Sequence, residues 1–308
     1  EAAGKVVYEV LDPTPALEWP LLSERAGCEL LVKHESHLPT GAFKVRGGLV
    51  YTASLAGDRG VVCATCGNHG QCVAFAARRA GLAATIVVPH GNSREKNAAM
   101  RAYGARLVEH GRDFDEALER AHAIAGDEDV ELFPSVHPLL VRGVATGYRE
   151  LLLAAPDLDV LYVPIGLGSG ILAAISAREA LGRNVEIVGV VSANADAYAR
   201  SHEAGRPVPT DRADTLADGL AVRVPHPEVV DLLARHVARV VRVGEDAIRG
   251  AMRDLFSGAH QVAEGAGAAA FAAACAERER LRGRRAAVVV TGGNVDREAF
   301  ARILAGDG

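Results

Sequence analysis

The stretch VLYVPIGLGSGILAAIS, residues 160–176, gives the strongest indication of the fold. It begins with a continuous apolar run of strand length, which is typical of a strand buried on both faces in a parallel sheet. Gly166, Gly168 and Gly170 come next, and the apolar residues after them have helical spacing. A strand, a glycine turn and a helix in this order predict one unit of a doubly wound α/β protein.

The same alternation runs along most of the chain. Seven more β-branched runs are separated by alanine-rich stretches of helical spacing: ELLVKHE, VVCAT, ATIVVP, RLVEHG, EIVGVVS, ARVVRV and AAVVVTGG. Helices are expected near residues 43–56, 68–80, 94–103, 114–125, 139–155, 169–181, 245–258, 264–281 and 295–304. We expect two doubly wound open parallel-sheet domains with a cleft between them, and a binding loop in the proline-rich residues 202–227.

Composition narrows the classes of ligand. The chain has 308 residues and a formal net charge of −5, with both signs of charge interspersed. Because it has no basic tract, a nucleic-acid or membrane partner is not expected, and the ligand should be a small molecule. Five cysteines are an odd number and are expected to be reduced thiols. No apolar run approaches the roughly 20 residues of a membrane span, and no signal peptide is recognisable, so a cytoplasmic location is expected.

Lys44 lies in an unusual setting. In HLPTGAFKVRGG, residues 37–48, small residues surround it on both sides. A surface lysine needs no such neighbours, whereas a lysine that meets a flat ligand does. After the run VVCAT, the turn CGNHGQ opens a helix, where unpaired backbone amides suit a carboxylate. The alternative is that Asn68 only caps the helix.

The glycine turn at residues 166–170 favours a phosphate, because successive amides at a helix start, with the Ser169 hydroxyl, form an anion cradle. A nicotinamide enzyme would also need an acidic residue at the end of the next strand. That strand ends in Val191 and Ser192, which disfavours a nicotinamide oxidoreductase. The last strand ends in TGGNVD, where Thr291 offers a neutral hydroxyl. A lysine together with a phosphate cradle suggests pyridoxal phosphate, since a desolvated lysine can form a Schiff base.

Six motifs in this order resemble those of the fold-type II pyridoxal-phosphate enzymes: KHESHLPTGAFKVRGG, TCGNHGQ, GLGSG, TLADGLAV, AEGAGAAA and TGGN. The chain is most similar to their threonine/serine dehydratase and serine racemase branch. The resemblance implies a tryptophan synthase β-like fold with pyridoxal 5'-phosphate in the cleft, and a homodimer. It also implies a large cofactor-binding domain of residues 1–47 and 145–308, with a small domain of residues 48–144 inserted in it.

The resemblance also implies roles for individual residues. Lys44 would form the Schiff base and remove the substrate α-proton. The other cofactor-binding residues would be Phe43, Asn68, Gly166, Gly168, Ser169, Gly170, Gly219, Glu264 and Thr291. The substrate carboxylate would be received by Thr40, Thr65, Cys66, Gly67 and His69. Glu264 has a second interpretation, a favourable charge at a helix start.

The implied activity is that of an ammonia-lyase (dehydratase), which converts threonine, serine or a 3-substituted serine to a 2-keto acid and ammonia by α,β-elimination. The alternative is an amino-acid racemase that uses Lys44 and Cys66 on opposite faces. Racemases of the branch have serine at position 66 and many dehydratases have alanine, so Cys66 is either a second base or a small filler. A thiol just before a helix start tends to have a pKa below about 8.5.

Three further expectations concern a metal site, a β-replacement activity and a regulatory domain. The metal ligands of racemase-like members would fall on Val191 and Ala197, whose side chains have no oxygen, so no metal is expected. A β-replacement activity is disfavoured, because cysteine synthases have GNTG where this chain has GNHG. Since the chain ends soon after TGGN, no regulatory domain is expected.

Overall fold

The computed structural model describes residues 1–57 and 59–306. The chain divides into unit 1, which consists of Glu1–Leu11 and Leu38–Val144, and unit 2, which consists of Asp12–His37 and Ala145–Gly308. The family resemblance implied that residues 1–11 and 38–47 belong to the same domain as residues 145–308, whereas in the structure they belong to unit 1. The functional division into a cofactor-binding domain and a small domain stays a prediction.

The grouping of these two segments within unit 1 has a hydrophobic cause. Val7 and Leu11 form one buried cluster with Leu38, Val45 and Leu49. Removing these apolar side chains from water stabilises the arrangement. Sequence periodicity indicates that such residues are buried, but it does not indicate which partner covers them.

Unit 2 contains a six-stranded sheet. Its strands are β1 (Ala16–Glu18), β2 (Glu29–His34), β7 (Val160–Pro164), β8 (Glu186–Ser192), β9 (Arg239–Val243) and β10 (Arg285–Val290). They lie in the order β1-β2-β10-β7-β8-β9. The short edge strand β1 is antiparallel to β2, and the other pairs are parallel. The helices of this unit are α2 (Pro20–Ala26), α8 (Ser169–Ala180), α9 (Ala197–Ala204), α10 (Pro227–His236), α11 (Glu245–Ala259), α12 (Gly265–Ala276) and α13 (Arg297–Ala305).

Unit 1 contains a four-stranded parallel sheet. Its strands are β3 (Val61–Ala64), β4 (Ala84–Val88), β5 (Arg106–Glu109) and β6 (Glu131–Leu132). They lie in the order β5-β4-β3-β6. The helices are α1 (Ala2–Tyr8), α3 (Lys44–Thr52), α4 (Asn68–Arg79), α5 (Arg94–Ala102) and α6 (Phe114–Asp127). The long helix α7 spans Pro138–Ala154.

The eight expected strands are all present, and the predicted α/β class with parallel sheets is confirmed. The expected helix at residues 264–281 ends early, and a 3-10 helix, Arg278–Leu281, follows it. Sequence analysis missed β1 and β6, which are three and two residues long and too short to show a period. It also missed α1, α2, α9 and α10. The stretch expected to be irregular, residues 202–227, is shorter in the structure: residues 202–204 end α9 and Pro227 begins α10. Residues 205–226 are irregular apart from a 3-10 helix at Asp218–Leu220.

A buried ion pair lies within unit 2. The Lys33 ammonium donates hydrogen bonds to a Glu150 carboxylate oxygen at 2.5 Å and to the Thr14 carbonyl at 2.8 Å. Glu35 lies 3.9 Å from the same ammonium and accepts a hydrogen bond from the Thr14 hydroxyl. Charges this far from water need such partners. The network therefore ties the strand β2 to Glu150 of α7.

Candidate active site

The turn at residues 165–170, called the phosphate turn below, joins β7 to α8 in unit 2. Gly168 precedes the helix with a φ of +115°, a conformation that residues with a Cβ rarely adopt. A Cβ on Gly166 would lie 2.2 Å from the carbonyl oxygen of Gly219, and one on Gly168 would lie 2.6 Å from a methyl group of Val229. Because glycine precedes the helix, no side chain at that position caps the first amides of the 12-residue helix α8. The turn therefore suits an anion such as a phosphate.

The other predicted residues of unit 2 lie around this turn. Strand β10 runs parallel to β7, so the largely buried Thr291 follows it at the same edge of the sheet. Glu264 directly precedes α12, is only 3% exposed, and its amide donates to the Gly292 carbonyl at 3.1 Å. A Cβ on Gly219 would lie 3.0 Å from the Cβ of Ala266 in the first turn of α12. The structure thus brings the predicted phosphate and ring residues of unit 2 together.

In unit 1, Lys44 is the first residue of α3. The Cys72 thiol of α4 donates to its carbonyl oxygen at 3.0 Å, and the lysine nitrogen lies 5.1 Å from the centroid of the Phe43 ring. A Cβ on Gly48 would lie 2.3 Å from the Cys72 sulfur, so this glycine permits the close approach of α3 to α4. Burial raises the pKa of Cys72 to about 12, against the lowering effect of the Lys44 charge, so the thiol stays protonated. Cys72 is therefore a packing residue rather than a nucleophile.

The predicted carboxylate residues of unit 1 lie mainly in the turn that joins β3 to α4. The Gly67 amide donates to the Thr65 hydroxyl at 3.0 Å, and Gly67 immediately precedes the helix. Cys66 and Asn68 are partly exposed on either side of it. Thr40 lies instead in the turn before α3, where its hydroxyl donates to a backbone carbonyl two residues further on at 3.3 Å.

His69 has an uncharged ring at the start of α4. The ring contacts Phe133 edge to face, with 5.7 Å between centroids. Its Nε2 atom is buried and has no hydrogen-bond partner among residues 1–57 and 59–306. Burial lowers the pKa of His69 to about 3, with the Lys44 charge acting in the same direction. A neutral imidazole nitrogen with no protein partner is suited to a hydrogen bond with a ligand.

Lys96 is a candidate residue that sequence reasoning missed. It lies in the first turn of α5, is only 7% exposed, and its amide donates to the capping Ser93 hydroxyl at 3.1 Å. A Cβ on Gly67 would lie 3.3 Å from the Lys96 nitrogen. The turn that joins β3 to α4 therefore has the buried Lys96 ammonium directly beside it, and this positive charge favours the binding of an anion there.

A sequence signal for Lys96 exists in the use of basic residues. The chain has 34 lysines and arginines, and only four of them are lysines. Lys5 is exposed, whereas Lys33 and Lys96 are buried and Lys44 is partly buried. Exposed cations in this chain are thus almost always arginine, whereas three of the four lysines are buried or partly buried. At a buried position the two side chains are not interchangeable, because the lysine ammonium is a compact point charge on a flexible stem and the arginine guanidinium is a planar group.

The positions predicted to lack metal ligands are apolar and buried. Val191 lies within β8 and Ala197 begins α9, and each is at most 1% exposed. The neighbouring carboxylate of Asp196 binds Arg200 at 2.7 Å and Arg242 at 3.0 Å. In the described part of the chain, no three His, Cys, Asp or Glu side chains are grouped to hold a metal ion.

Parallel α/β units with glycine turns at the carboxyl ends of strands are typical of enzymes that hold a phosphorylated cofactor. Lys44, partly buried at a helix start, fits a cofactor that links to an amine. The chain belongs to the family of pyridoxal-phosphate dependent enzymes, whose profile matches residues 7–292. This finding confirms the predicted family, fold type and cofactor.

Similar proteins support the same branch. The chain is 35% identical over 307 residues to an L-threonine ammonia-lyase of Thermotoga maritima, and the match covers 98% of this chain and 76% of that protein. It is 32% identical over 297 residues to a biosynthetic L-threonine dehydratase of Pasteurella multocida, covering 94% of this chain and 58% of that one. The chain thus spans little more than half of the biosynthetic relative. The structure of maize serine racemase superposes with a TM-score of 0.92 at 25% identity, over 99% of this chain and 95% of that one.

None of the helices in the described residues is long and apolar enough to cross a membrane. The five cysteines are free in the structure. Cys63 is buried in β3, and burial raises its pKa far above the ordinary value. Cys63 lies within β3 and Cys66 in the turn after it, so the two do not open a helix together as the cysteines of a redox CxxC motif do.

Proposed function

We propose that the chain is a pyridoxal-phosphate-dependent ammonia-lyase. It converts a small β-hydroxy amino acid, namely threonine, serine or a 3-substituted serine, to a 2-keto acid and ammonia by α,β-elimination. The observation that carries this proposal is Lys44, a partly buried lysine at a helix start in a chain that has only four lysines. The similarity to an L-threonine ammonia-lyase over 98% of the chain supports the substrate class.

The phosphate turn fits the cofactor on geometric grounds. Gly166 and Gly168 have no room for a Cβ, and the amides at the start of α8 can receive a phosphate. The bound cofactor supplies an aldehyde for linkage to an amine and an electron-withdrawing ring that acidifies the substrate α-carbon. In the proposal Lys44 provides the amine and later accepts the α-proton. Thr291 would offer the ring nitrogen a neutral hydroxyl, and Phe43 and Asn68 would hold the ring.

The turn before α4 would orient the substrate through its carboxylate. The proposed set is Thr40, Thr65, Cys66, Gly67 and His69, and we add the Lys96 ammonium, which lies beside Gly67. The Thr65 hydroxyl, which accepts from the Gly67 amide, would donate to the carboxylate, and the His69 imidazole would offer its buried Nε2 atom. A charge-assisted hydrogen bond is roughly twice as strong as a neutral one. Lys96 therefore favours substrates with a free carboxylate over their amides or esters.

Racemisation is the second candidate, and the position of Cys66 favours it. This residue is partly exposed just before α4, where a thiolate is stabilised by the helix amides. Its environment differs from the buried sites of Cys63 and Cys72. The two candidates are separated by measuring keto-acid release together with deuterium uptake at the α-carbon. A Cys66→Ala variant that no longer forms the deuterated opposite enantiomer, and keeps keto-acid release, would assign racemisation to Cys66.

Chemical trapping tests the main proposal. The protein is loaded with pyridoxal phosphate and reduced with borohydride, and the peptides are mapped by mass spectrometry. We expect the cofactor on Lys44 and on none of the other three lysines. Lys44→Ala should lose the visible absorbance of the bound cofactor and all keto-acid release, while the exposed-site control Lys5→Ala keeps both. Absence of any lysine-linked cofactor in the wild-type protein would refute the proposal.

The homodimer and the cytoplasmic location expected from the sequence remain part of the proposal. Five free cysteines are consistent with a reducing compartment. Light scattering of the purified protein measures the oligomeric state directly.

A further inference from the structure

We propose that Glu245 is a positioning residue for the phosphate turn. It would act through residues 215–220, called the Gly219 segment below. The inference rests on the proposed function, because it takes the phosphate turn as the place where the cofactor binds. The effect of Glu245 reaches that turn through the backbone of the Gly219 segment.

The Glu245 carboxylate joins two distant parts of unit 2. It lies at the first position of α11, and one oxygen accepts hydrogen bonds from the Ser192 hydroxyl at 2.9 Å and the Thr215 hydroxyl at 2.6 Å. The other oxygen accepts from the Leu216 amide at 2.8 Å. Ser192 is the last residue of β8, so the end of a buried strand and the start of the Gly219 segment share one carboxylate. Hydrogen bonds to a charged acceptor are stronger than neutral ones.

The Gly219 segment packs directly against the phosphate turn. The carbonyl oxygen of Gly219 lies so close to Gly166 that a Cβ there would be 2.2 Å away. On its other side the segment packs against α12, where a Cβ on Gly265 would lie 2.5 Å from a Leu216 methyl group. A shift of the segment by a fraction of an ångström therefore has to move the phosphate turn or open a gap beside it.

Hydrogen bonds to Tyr198 hold the C-terminal end of the irregular loop of residues 205–226. The buried Tyr198 of α9 donates from its hydroxyl to the Leu167 carbonyl in the phosphate turn at 3.3 Å. The same hydroxyl accepts a hydrogen bond from the His226 amide at 3.1 Å. The loop of residues 205–226 is thus fixed at Leu216 by Glu245 and at His226 by Tyr198.

The donors around Glu245 predict how each substitution behaves. In Glu245→Gln the amide oxygen can still face the Leu216 amide, and the new NH2 group can donate to the two hydroxyls, which also act as acceptors. Glu245→Ala removes the acceptors of all three hydrogen bonds and leaves the Leu216 amide without this partner. We therefore expect Gln to rescue most of what Ala loses.

The neighbouring acid provides a matched control. Asp246 also lies in the first turn of α11, but its side chain is 97% exposed and pairs only with Arg249 at 3.0 Å among the contacts described. Asp246→Ala removes a similar charge from the same helix end. A general loss of helix stability would affect both variants equally, whereas loss of positioning affects Glu245 alone.

Two measurements on the holoenzyme test the inference. The first is the dissociation constant of pyridoxal phosphate, measured by dialysis and visible absorbance. We expect Glu245→Ala to raise it by about 10-fold or more, with Glu245→Gln and Asp246→Ala within about 3-fold of wild type. The second is hydrogen exchange of the peptide that contains residues 214–221, which should become faster in Glu245→Ala only.

The outcomes separate this inference from the proposed function. If the wild-type protein binds the cofactor but Glu245→Ala binds it equally well, or leaves the exchange of residues 214–221 unchanged, the inference is wrong and the function stands. If Glu245→Ala does not fold, Thr215→Val replaces it, because this variant removes one donor to the same carboxylate and nearly keeps the side-chain shape. It also removes the acceptor of the Ala217 amide, which donates to the Thr215 hydroxyl at 3.1 Å. It should also raise the dissociation constant, and an unchanged constant would then overturn the inference.

Discussion

Gly166→Ala is the sharpest test of the phosphate turn. The new Cβ would lie 2.2 Å from the Gly219 carbonyl oxygen, while an ordinary contact begins at 3.4 Å. The overlap of about 1.2 Å is with a backbone atom, which cannot rotate aside as a flexible side chain can. Either the Gly219 segment or the phosphate turn therefore has to move by about 1 Å.

The size of the effect follows from this displacement. A misplacement of about 1 Å in a binding or catalytic constellation can cost about 100-fold, which corresponds to about 2.8 kcal/mol of binding free energy. Overpacking of this kind also destabilises a protein by about 1–3 kcal/mol. We expect cofactor affinity to fall by about 100-fold and the free energy of unfolding to fall within that range.

The assay compares two glycine substitutions in unit 2. Gly250 lies within α11, and a Cβ there would meet nothing within 4 Å. Gly250→Ala should keep the cofactor affinity and raise the free energy of unfolding by up to about 1 kcal/mol. Cofactor binding is measured by visible absorbance, and stability by urea unfolding. Wild-type cofactor affinity in Gly166→Ala would show that the phosphate lies elsewhere.

Three further predictions concern charged and titrating groups. Lys33→Met leaves the buried Glu150 carboxylate without its cation and should lower the free energy of unfolding by about 3–5 kcal/mol, whereas the exposed Lys5→Met changes it by about 0.5 kcal/mol or less; urea unfolding that shows equal effects would contradict this. Lys96→Met should raise the KM for L-threonine by about 10-fold or more and leave the weak binding of threoninamide unchanged; equal losses for both ligands would remove Lys96 from carboxylate recognition. His69 has a folded-state pKa of about 3 against an ordinary 6.5. As the pH falls, the His69 ring of the unfolded chain therefore binds a proton before the ring of the folded chain does. The free energy of unfolding should fall as the pH falls from 6.5 towards 3. In His69→Asn, urea midpoints at about pH 7.5 and about pH 5 should differ less than in wild type, and an equal difference would contradict the assignment.

The eight longer strands of the two sheets, and the helices over nine of the expected ranges, were predictable from local pattern. The apolar runs that became β3, β7, β8 and β10 are continuous because both faces of a parallel strand are covered. The glycines of the phosphate turn were also visible, because a turn that carries a φ of +115° at Gly168 needs glycine there. Short or edge elements such as β1 and β6 left no such pattern.

The amino-acid sequence alone thus determined the family and the alternation of elements, and it predicted the turns at which we propose that ligands bind, since these depend on periods and residue types within a few neighbours. Tertiary structure decided which distant residues meet. It grouped residues 38–47 with unit 1 through a shared apolar cluster. It also placed the Lys96 ammonium beside Gly67 and the Glu245 carboxylate on Leu216. Such contacts depend on side-chain packing across separate elements, and no local pattern in the sequence encodes them.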